Sequence, residues 1–318
     1  MNETPAVRVG ISPCLLGDHV HYDGGHKRLP FASDELSRHF EFVKICPEKA
    51  IGMGVPRPTI QLAGDPENPR LVGSTDSNLE VTDKMTTFAR DTATKLDYIS
   101  GHILCAKSPT CGMARVPVYS ESGISLGKIG VGLFAKQLMA AQPLLPVEEN
   151  SRLIDVHLRE NFVLRVVAYL RWQAMMAEEL SAKRLQDFHR RHKFLLLAHN
   201  QPICRELGPI VAEATDLNDH ADRYIKKFMA AIRHPASVKN HTNALMHIKG
   251  FFKDYLDAGD KAQLSSIISN YSVGLLSLLA LLEILGMFLK KYQVEYLLDQ
   301  YYFMPYPYDL KLRIGLSL

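Results

Sequence analysis

Strand-like and helix-like runs alternate over roughly the first 150 residues, and then the strand-like runs stop. Residues 7–15 are rich in β-branched residues. Residues 33–40 read as a short helix with Ser33 as N-cap, because a serine precedes an acidic first turn. The run FVKIC returns as a strand, which completes a β-α-β unit, the seed of a parallel sheet. Residues 82–99 form a second helical pattern, capped by Thr82 or Asp83, and HILCA is a third strand. KIGVG at 128–132 leads into the helical LFAKQLMAA, and residues 144–148 close the series as a short strand. This order predicts a doubly wound, mostly parallel α/β domain over residues 1–150. Beyond it, helical patterns follow one another at 152–179, 182–199, 203–215, 218–233, 237–257, 260–270, 271–292 and 293–302, punctuated by Pro202, Pro235 and Pro305. Residues 151–318 are therefore expected to form an all-α domain.

The carboxyl ends of strands in an open α/β sheet face one crevice, where such folds keep their ligands. Cys14 ends VRVGISPC, Cys46 ends FVKIC, and Cys111 closes HILCAKSPTC. Three thiols distant in sequence would then meet, enough for three corners of a cubane iron–sulfur cluster with the fourth iron open. The plain alternative is that a free cysteine fills core. The neighbours weigh against it, since each of the three lies in a Pro- or Gly-containing stretch. Cys105, inside HILCAK, reads as strand core, and Cys204, in a helical region, reads as structural.

Five cysteines without regular spacing do not resemble a disulfide framework, and the first six residues lack the apolar region of a secretory signal. A reducing, cytoplasmic setting is the expectation. The apolar stretch at 271–289 approaches the length of a membrane span, but Glu283 interrupts it and Lys290 and Lys291 follow, so a buried helix and no membrane partner are expected. The net charge of +3 is unevenly placed. KRLQDFHRRHK carries Lys183, Arg184, Arg190, Arg191 and Lys193 against Asp187, a pattern that suits a polyanion or a solvated helix face. His189, His192 and His199 have metal-like spacing, with exposed polar histidines as the plainer reading, and the tyrosines around residue 301 are expected to pack rather than to stack on bases.

Near the three cysteines stand Glu48, two residues after Cys46, Ser108, three before Cys111, and Lys107 and Arg57. The segment HVHYDGGHK adds Tyr22 and Asp23 beside a glycine turn. A carboxylate near a metal site can act as general base, and a hydroxyl or cation can hold a developing anion. Each also has a structural reading: Glu48 as a helix-start acid, Ser108 as a cap, Arg57 as a surface ion pair.

The set SPCLLG, YDGGHK, CPE, GMGVPRP and SPTCG, spread over residues 7–150, resembles the thiouracil desulfurase (TudS-like) family. The resemblance implies a 4Fe-4S cluster held by Cys14, Cys46 and Cys111, whose open iron takes the sulfur of a thiolated base. It also implies that Glu48 and Ser108 are the acid and serine of the chemistry. Glu48 would activate the attacking water, Ser108 and Lys107 would polarise the ring or relay a proton, and Tyr22, Asp23 and Arg57 are the substrate-binding candidates. Where many relatives have a further cysteine before the YDG motif, this chain reads His19-Val20-His21-Tyr22. Residues 155–315, with LQDFHRRHKFLLLAHN, NALMHIKGFFKDYL and YLLDQYYFMPYPYDLKLR, resemble the YbgA-like domain. The fusion resembles the RudS group, which implies desulfuration of 4-thiouridine in tRNA, with the basic helix as the RNA-binding element.

Two other classes compete. A cluster-bearing, nucleic-acid-binding regulator would use the same cysteines but fill the fourth iron position with a protein ligand. A zinc-stabilised structural module would hold zinc in place of iron.

Overall fold

The computed structural model describes residues 6–76, 78–213 and 216–315; the first five residues, on which part of the signal-peptide expectation rests, and residues 214 and 215 of the expected 203–215 helix lie outside them. The chain divides into two compact units, Met1–Ile154 and Asp155–Leu318.

In the first unit, β1 (Val7–Ile11) pairs in parallel with β2 (Phe40–Lys44), Val7 opposite Phe40 and Ile11 opposite Lys44. Between them Phe31–Arg38 forms two short irregular helical turns. The expected Ser33 cap is not made: the turn starts at Pro30, and the Ser33 hydroxyl instead meets Arg28 and Asp34. After α1 (Pro47–Ala50) come β3 (Ile60–Ala63), β4 (Arg70–Gly73), α2 (Thr82–Ala93), β5 (Gly101–Leu104), β6 (Val116–Tyr119), β7 (Ser125–Gly130), α3 (Leu133–Ala141) and β8 (Val147–Glu149). The strand order β2-β1-β5-β8 makes one all-parallel sheet. β5 is buried at every position, as expected of a strand covered on both faces. A second sheet, β4-β3-β6-β7, mixes parallel and antiparallel pairs, and its β7 takes in Lys128–Gly130 of the KIGVG run before α3. The α/β class stands, with this second sheet added. α2 and α3 pack on each other, Phe88 stacking on Phe134 at 6.2 Å.

The second unit is helical: α4 (Val156–Met176), α5 (Ala182–His199), α6 (Gln201–Ala212), α7 (Leu217–Ala231), α8 (Val238–Gly250), α9 (Ala258–Ser272), α10 (Leu278–Tyr292) and α11 (Glu295–Leu298). Caps fix most of the starts. Asp155, Ser181, Asn200, Asp216, Ser237, Asp257 and Ser277 each accept backbone N–H groups of the following turn. The Ser277 cap breaks the apolar 271–289 stretch into the end of α9, a turn and α10. Among the described residues no helix is long and apolar enough to cross a membrane. α5 packs against α6, α7 and α8 around Trp172, Phe188, Tyr224 and Phe228, whose rings meet edge-on or stacked.

Candidate active site

Neighbouring parallel strands deliver the cysteines to one place. β1 ends at Ile11, and Cys14 sits in the tight turn Pro13–Leu16 that follows. β2 ends at Lys44, and Cys46 is the residue before α1. β5 ends at Leu104, so Cys105 is the first residue past the strand, and Cys111 lies in the loop beyond it. Because β2, β1 and β5 are adjacent and parallel, these ends share one edge of the sheet. A cavity of about 170 Å³ opens there, lined by Cys14, Cys46, Cys105 and Cys111.

Cys105 is thus not the strand-core residue that its apolar run suggested. The strand stops one residue early, and the thiol turns into the cavity, where it hydrogen-bonds Cys14. That bond, with burial, holds the Cys14 thiol far above its ordinary range and the Cys105 thiol below it. Burial and then the Glu48 carboxylate push Cys46 and Cys111 up. Metal binding to such thiols must displace protons.

The loop Ser108–Gly112 is built around the serine. Ser108 Oγ accepts from the Thr110 and Cys111 amides at 3.3 and 3.1 Å, so the cap-like structural reading of Ser108 holds geometrically. The loop also supports α3: the Pro109 and Thr110 carbonyls accept from Leu133 and Ala135, amides of its first turn. A Cβ at Gly132 would lie 2.4 Å from the Thr110 carbonyl oxygen, so a side chain there would displace the loop. Lys107 enters the loop at φ 65°, a left-handed conformation, and lines the cavity with Ser108.

Glu48 points into the site from α1 and is 9% exposed. Its Oε1 accepts from Thr110 Oγ1 at 2.5 Å, and Thr110 Oγ1 lies 2.9 Å from Ser108 Oγ. The Cys46 thiol approaches Oε2 at 3.6 Å, and Arg57 Nη2 stands 3.9 Å from the same oxygen. Arg57 is not the surface ion pair considered above. Its side chain is buried, and Nη1 donates to the Val20 and Gly54 carbonyls. Tyr22 lines the cavity. Asp23 does not: its carboxylate holds its own turn, accepting from the Gly25 amide at 2.9 Å and meeting His21 Nδ1 at 2.9 Å. Those contacts, the Gly25 amide first, hold its pKa below the ordinary carboxylate value. Asp23 is a turn former, not a cavity group. Sequence reasoning missed Thr110, Cys105 and Ser12. Ser12 Oγ is buried in the cavity wall beside the Cys111 thiol.

The residues present fit an iron–sulfur cluster. The donors are soft thiols, Cys14, Cys46, Cys105 and Cys111, around a preformed space. Among the described residues no group of three or more His, Cys, Asp or Glu is gathered closely around a single metal position.

In the helical unit the basic segment is only partly free. Arg190 is committed to Asp299 at 2.5 and 2.8 Å and to Asp187 at 2.7 Å, which removes it from the set available to phosphate. Arg184 pairs with Glu178, and Arg191 lies over the Tyr301 ring. Lys183 and Lys193 are exposed. The histidines are not exposed as expected. His192 is fully buried and donates from Nδ1 to the Phe188 carbonyl, His199 does the same to Leu195, and His189 meets the Tyr224 hydroxyl. Tyr302 and Tyr306 pack inside.

Residues 9–150 match the family model 2-thiouracil desulfurase, and residues 193–307 match a family described as protein of unknown function (DUF1722). The uncharacterised protein YbgA of Escherichia coli (strain K12) is 32% identical over 157 residues, which is 48% of this chain and 93% of YbgA. The chain belongs to the YbgA family. It joins that helical domain to an N-terminal 2-thiouracil desulfurase domain. A solved structure of TudS, a 4Fe-4S-dependent thiouracil desulfidase, covers 46% of this chain and 93% of its own at 26% identity, with a TM-score of 0.36.

Proposed function

We propose that this protein hydrolyses the carbon–sulfur bond of a thiolated uracil, 4-thiouridine in tRNA, to give uridine and sulfide. The observation that carries the reading is a buried carboxylate, Glu48, at the edge of a cavity lined by cysteine thiols. Cys14, Cys46 and Cys111 would hold a 4Fe-4S cluster. When bound, it supplies a soft Lewis acid toward a thiocarbonyl sulfur. The chain's own groups do the rest. Glu48 Oε2 faces Arg57 and takes a proton from water as the water oxygen adds to the base carbon. Oxygen replaces sulfur on that carbon, and the sulfur leaves as sulfide with the protons that water gave up, so no electron carrier is needed. Thr110 donates to Glu48 Oε1, and Ser108 lies within reach of Thr110. The pair gives the carboxylate a hydroxyl path for returning the proton. Lys107 supplies a cation at the cavity wall. A base held inside folded RNA must be turned out to reach this site. Lys183, Arg191 and Lys193 are the candidates for holding the RNA.

The test is anaerobic purification followed by iron and acid-labile sulfide analysis, then incubation with tRNA containing 4-thiouridine. Iron with sulfide, and release of sulfide with formation of uridine, is the expected result. Zinc, or iron without turnover of the thiolated RNA, would overturn it.

One observation favours the regulator reading. Cys105 brings a fourth thiol into the cavity and could fill the position that an enzyme leaves open. Iron-loaded protein that binds RNA but gains activity only in Cys105→Ala would support that reading.

A further inference from the structure

Arg171 is charged, largely enclosed and, among the described residues, without a carboxylate partner. It lies in α4, and its guanidinium carbon stands 3.5 Å from the centroid of the Tyr301 ring. Arg191 of α5 approaches the same ring at 4.7 Å. Arg171 Nη1 is shielded from water and has no hydrogen-bond partner, and neither has Arg191 Nε, whose nearest carboxylate oxygen, on Asp299, is 3.6 Å away. Burial, and then the neighbouring Arg191 charge, lower the Arg171 pKa to about 10, while Tyr301 partly opposes them. Asp299 is already forked by Arg190. Two like charges against one ring, with donors left unpaired, are costly unless an anion completes the arrangement.

Both arginines line an open groove of about 540 Å³. Its two carboxylates, Glu178 and Asp187, are occupied by Arg184 and Arg190. Lys183, exposed on the groove wall, has no carboxylate partner among the described residues. The groove therefore presents an unbalanced row of cations with a fork-shaped donor at its inner end, the geometry that suits a phosphate.

We infer that the Arg171–Arg191–Tyr301 groove binds a backbone phosphate of a polynucleotide, with Arg171 as the inner ligand and Lys183 as the outer one. A polynucleotide suits the groove better than a small phosphorylated molecule because the site is open and its charge continues along α5 to Lys183. The choice of RNA as the polynucleotide rests on the function proposed above; the phosphate site itself does not.

The test uses the full chain and an unmodified tRNA transcript, so that loss of desulfuration chemistry cannot imitate loss of binding. Affinity is measured across a salt series for wild type, Arg171→Gln, Arg171→Lys and the exposed-lysine control Lys261→Gln. Arg171→Gln is expected to weaken binding about tenfold and to reduce the salt slope by about 1. Arg171→Lys should fall between, because it keeps charge but not the fork, and Lys261→Gln should change affinity less than twofold. The melting temperature of Arg171→Gln should equal or exceed wild type, since an unpaired buried charge is gone. Wild-type affinity and slope in both Arg171 variants would overturn the inference, as would a lower melting temperature in Arg171→Gln. Pyrophosphate binding lost in Arg171→Gln with transcript affinity unchanged would overturn the polynucleotide assignment.

Discussion

The Thr110 hydroxyl donates to Glu48 Oε1 at 2.5 Å across a sequence separation of 62 residues, tying the start of α1 to the cysteine-bearing loop after β5. The bond fixes which carboxylate oxygen is free to meet water. Glu48→Gln removes the proton acceptor at nearly constant volume and should lower desulfuration a hundredfold or more, by about the range of general-base catalysis. Thr110→Val leaves the acceptor but frees its orientation, so a smaller loss, about tenfold, is expected. Iron content should be unchanged in both. Turnover equal to wild type in Glu48→Gln would remove the carboxylate from the reaction.

Replacing Cys14, Cys46 or Cys111 singly with Ala should abolish bound iron and acid-labile sulfide together, because a cubane that loses a corner ligand becomes labile. Cys105→Ala should retain both if Cys105 is a neighbour of the cluster rather than a ligand. Cys204→Ala, in the helical unit, serves as the control. Metal analysis of anaerobically purified variants decides it: iron loss in Cys105→Ala equal to that in Cys111→Ala would make Cys105 one of the ligands.

Arg190→Ala should act on stability and not on RNA affinity. Its guanidinium bridges Asp187 on its own helix and Asp299 beyond α11, holding the C-terminal segment to α5. The pair is partly exposed, so the loss should be about 1 kcal/mol, seen as a melting temperature a few degrees lower. An unchanged melt with a weakened salt-dependent RNA affinity would return Arg190 to the phosphate-binding set.

Period and punctuation in the sequence led to the alternation of strands and helices and to the helical second half. Local pattern placed a helix at 182–199, and the structure has it at Ala182–His199. It failed where partners are remote. The short strands β3 and β4 carry one β-branched residue each and gain their form by pairing, β3 with β4 on one side and with β6 on the other. Ser33 looks like a cap until Arg28 claims its hydroxyl. The same limit holds at the site. Cys14, Cys46 and Cys111 stood out by their Pro- and Gly-containing loops, whereas Cys105 was hidden by an apolar run that ends one residue before it. Arg171 carries no motif at all. Its isolation becomes visible only when Tyr301, 130 residues further on, folds against it.

Acidification should destabilise the helical unit through its buried histidines. Burial lowers His189 to about 4, with Lys193 adding to the effect, and lowers His192, His199 and His241 as well, burial being the first cause in each. A folded-state pKa below the unfolded value of about 6.5 means that the unfolded chain binds more protons in the window between the two. Stability is then complete above about pH 6.5 and is lost as pH falls toward the folded values, by up to about 1.4 kcal/mol per pH unit for each histidine fully held neutral. His192 is the cleanest probe, since it is fully buried and its Nδ1 is fixed on the Phe188 carbonyl. His192→Gln keeps a donor for that carbonyl but cannot titrate. The variant should start less stable at pH 7.5 and lose less than wild type between pH 7.5 and 5.5, read by thermal melts of the full chain with hydrogen exchange on α5 to localise the change. Equal pH dependence in both proteins would show that the acid sensitivity arises elsewhere.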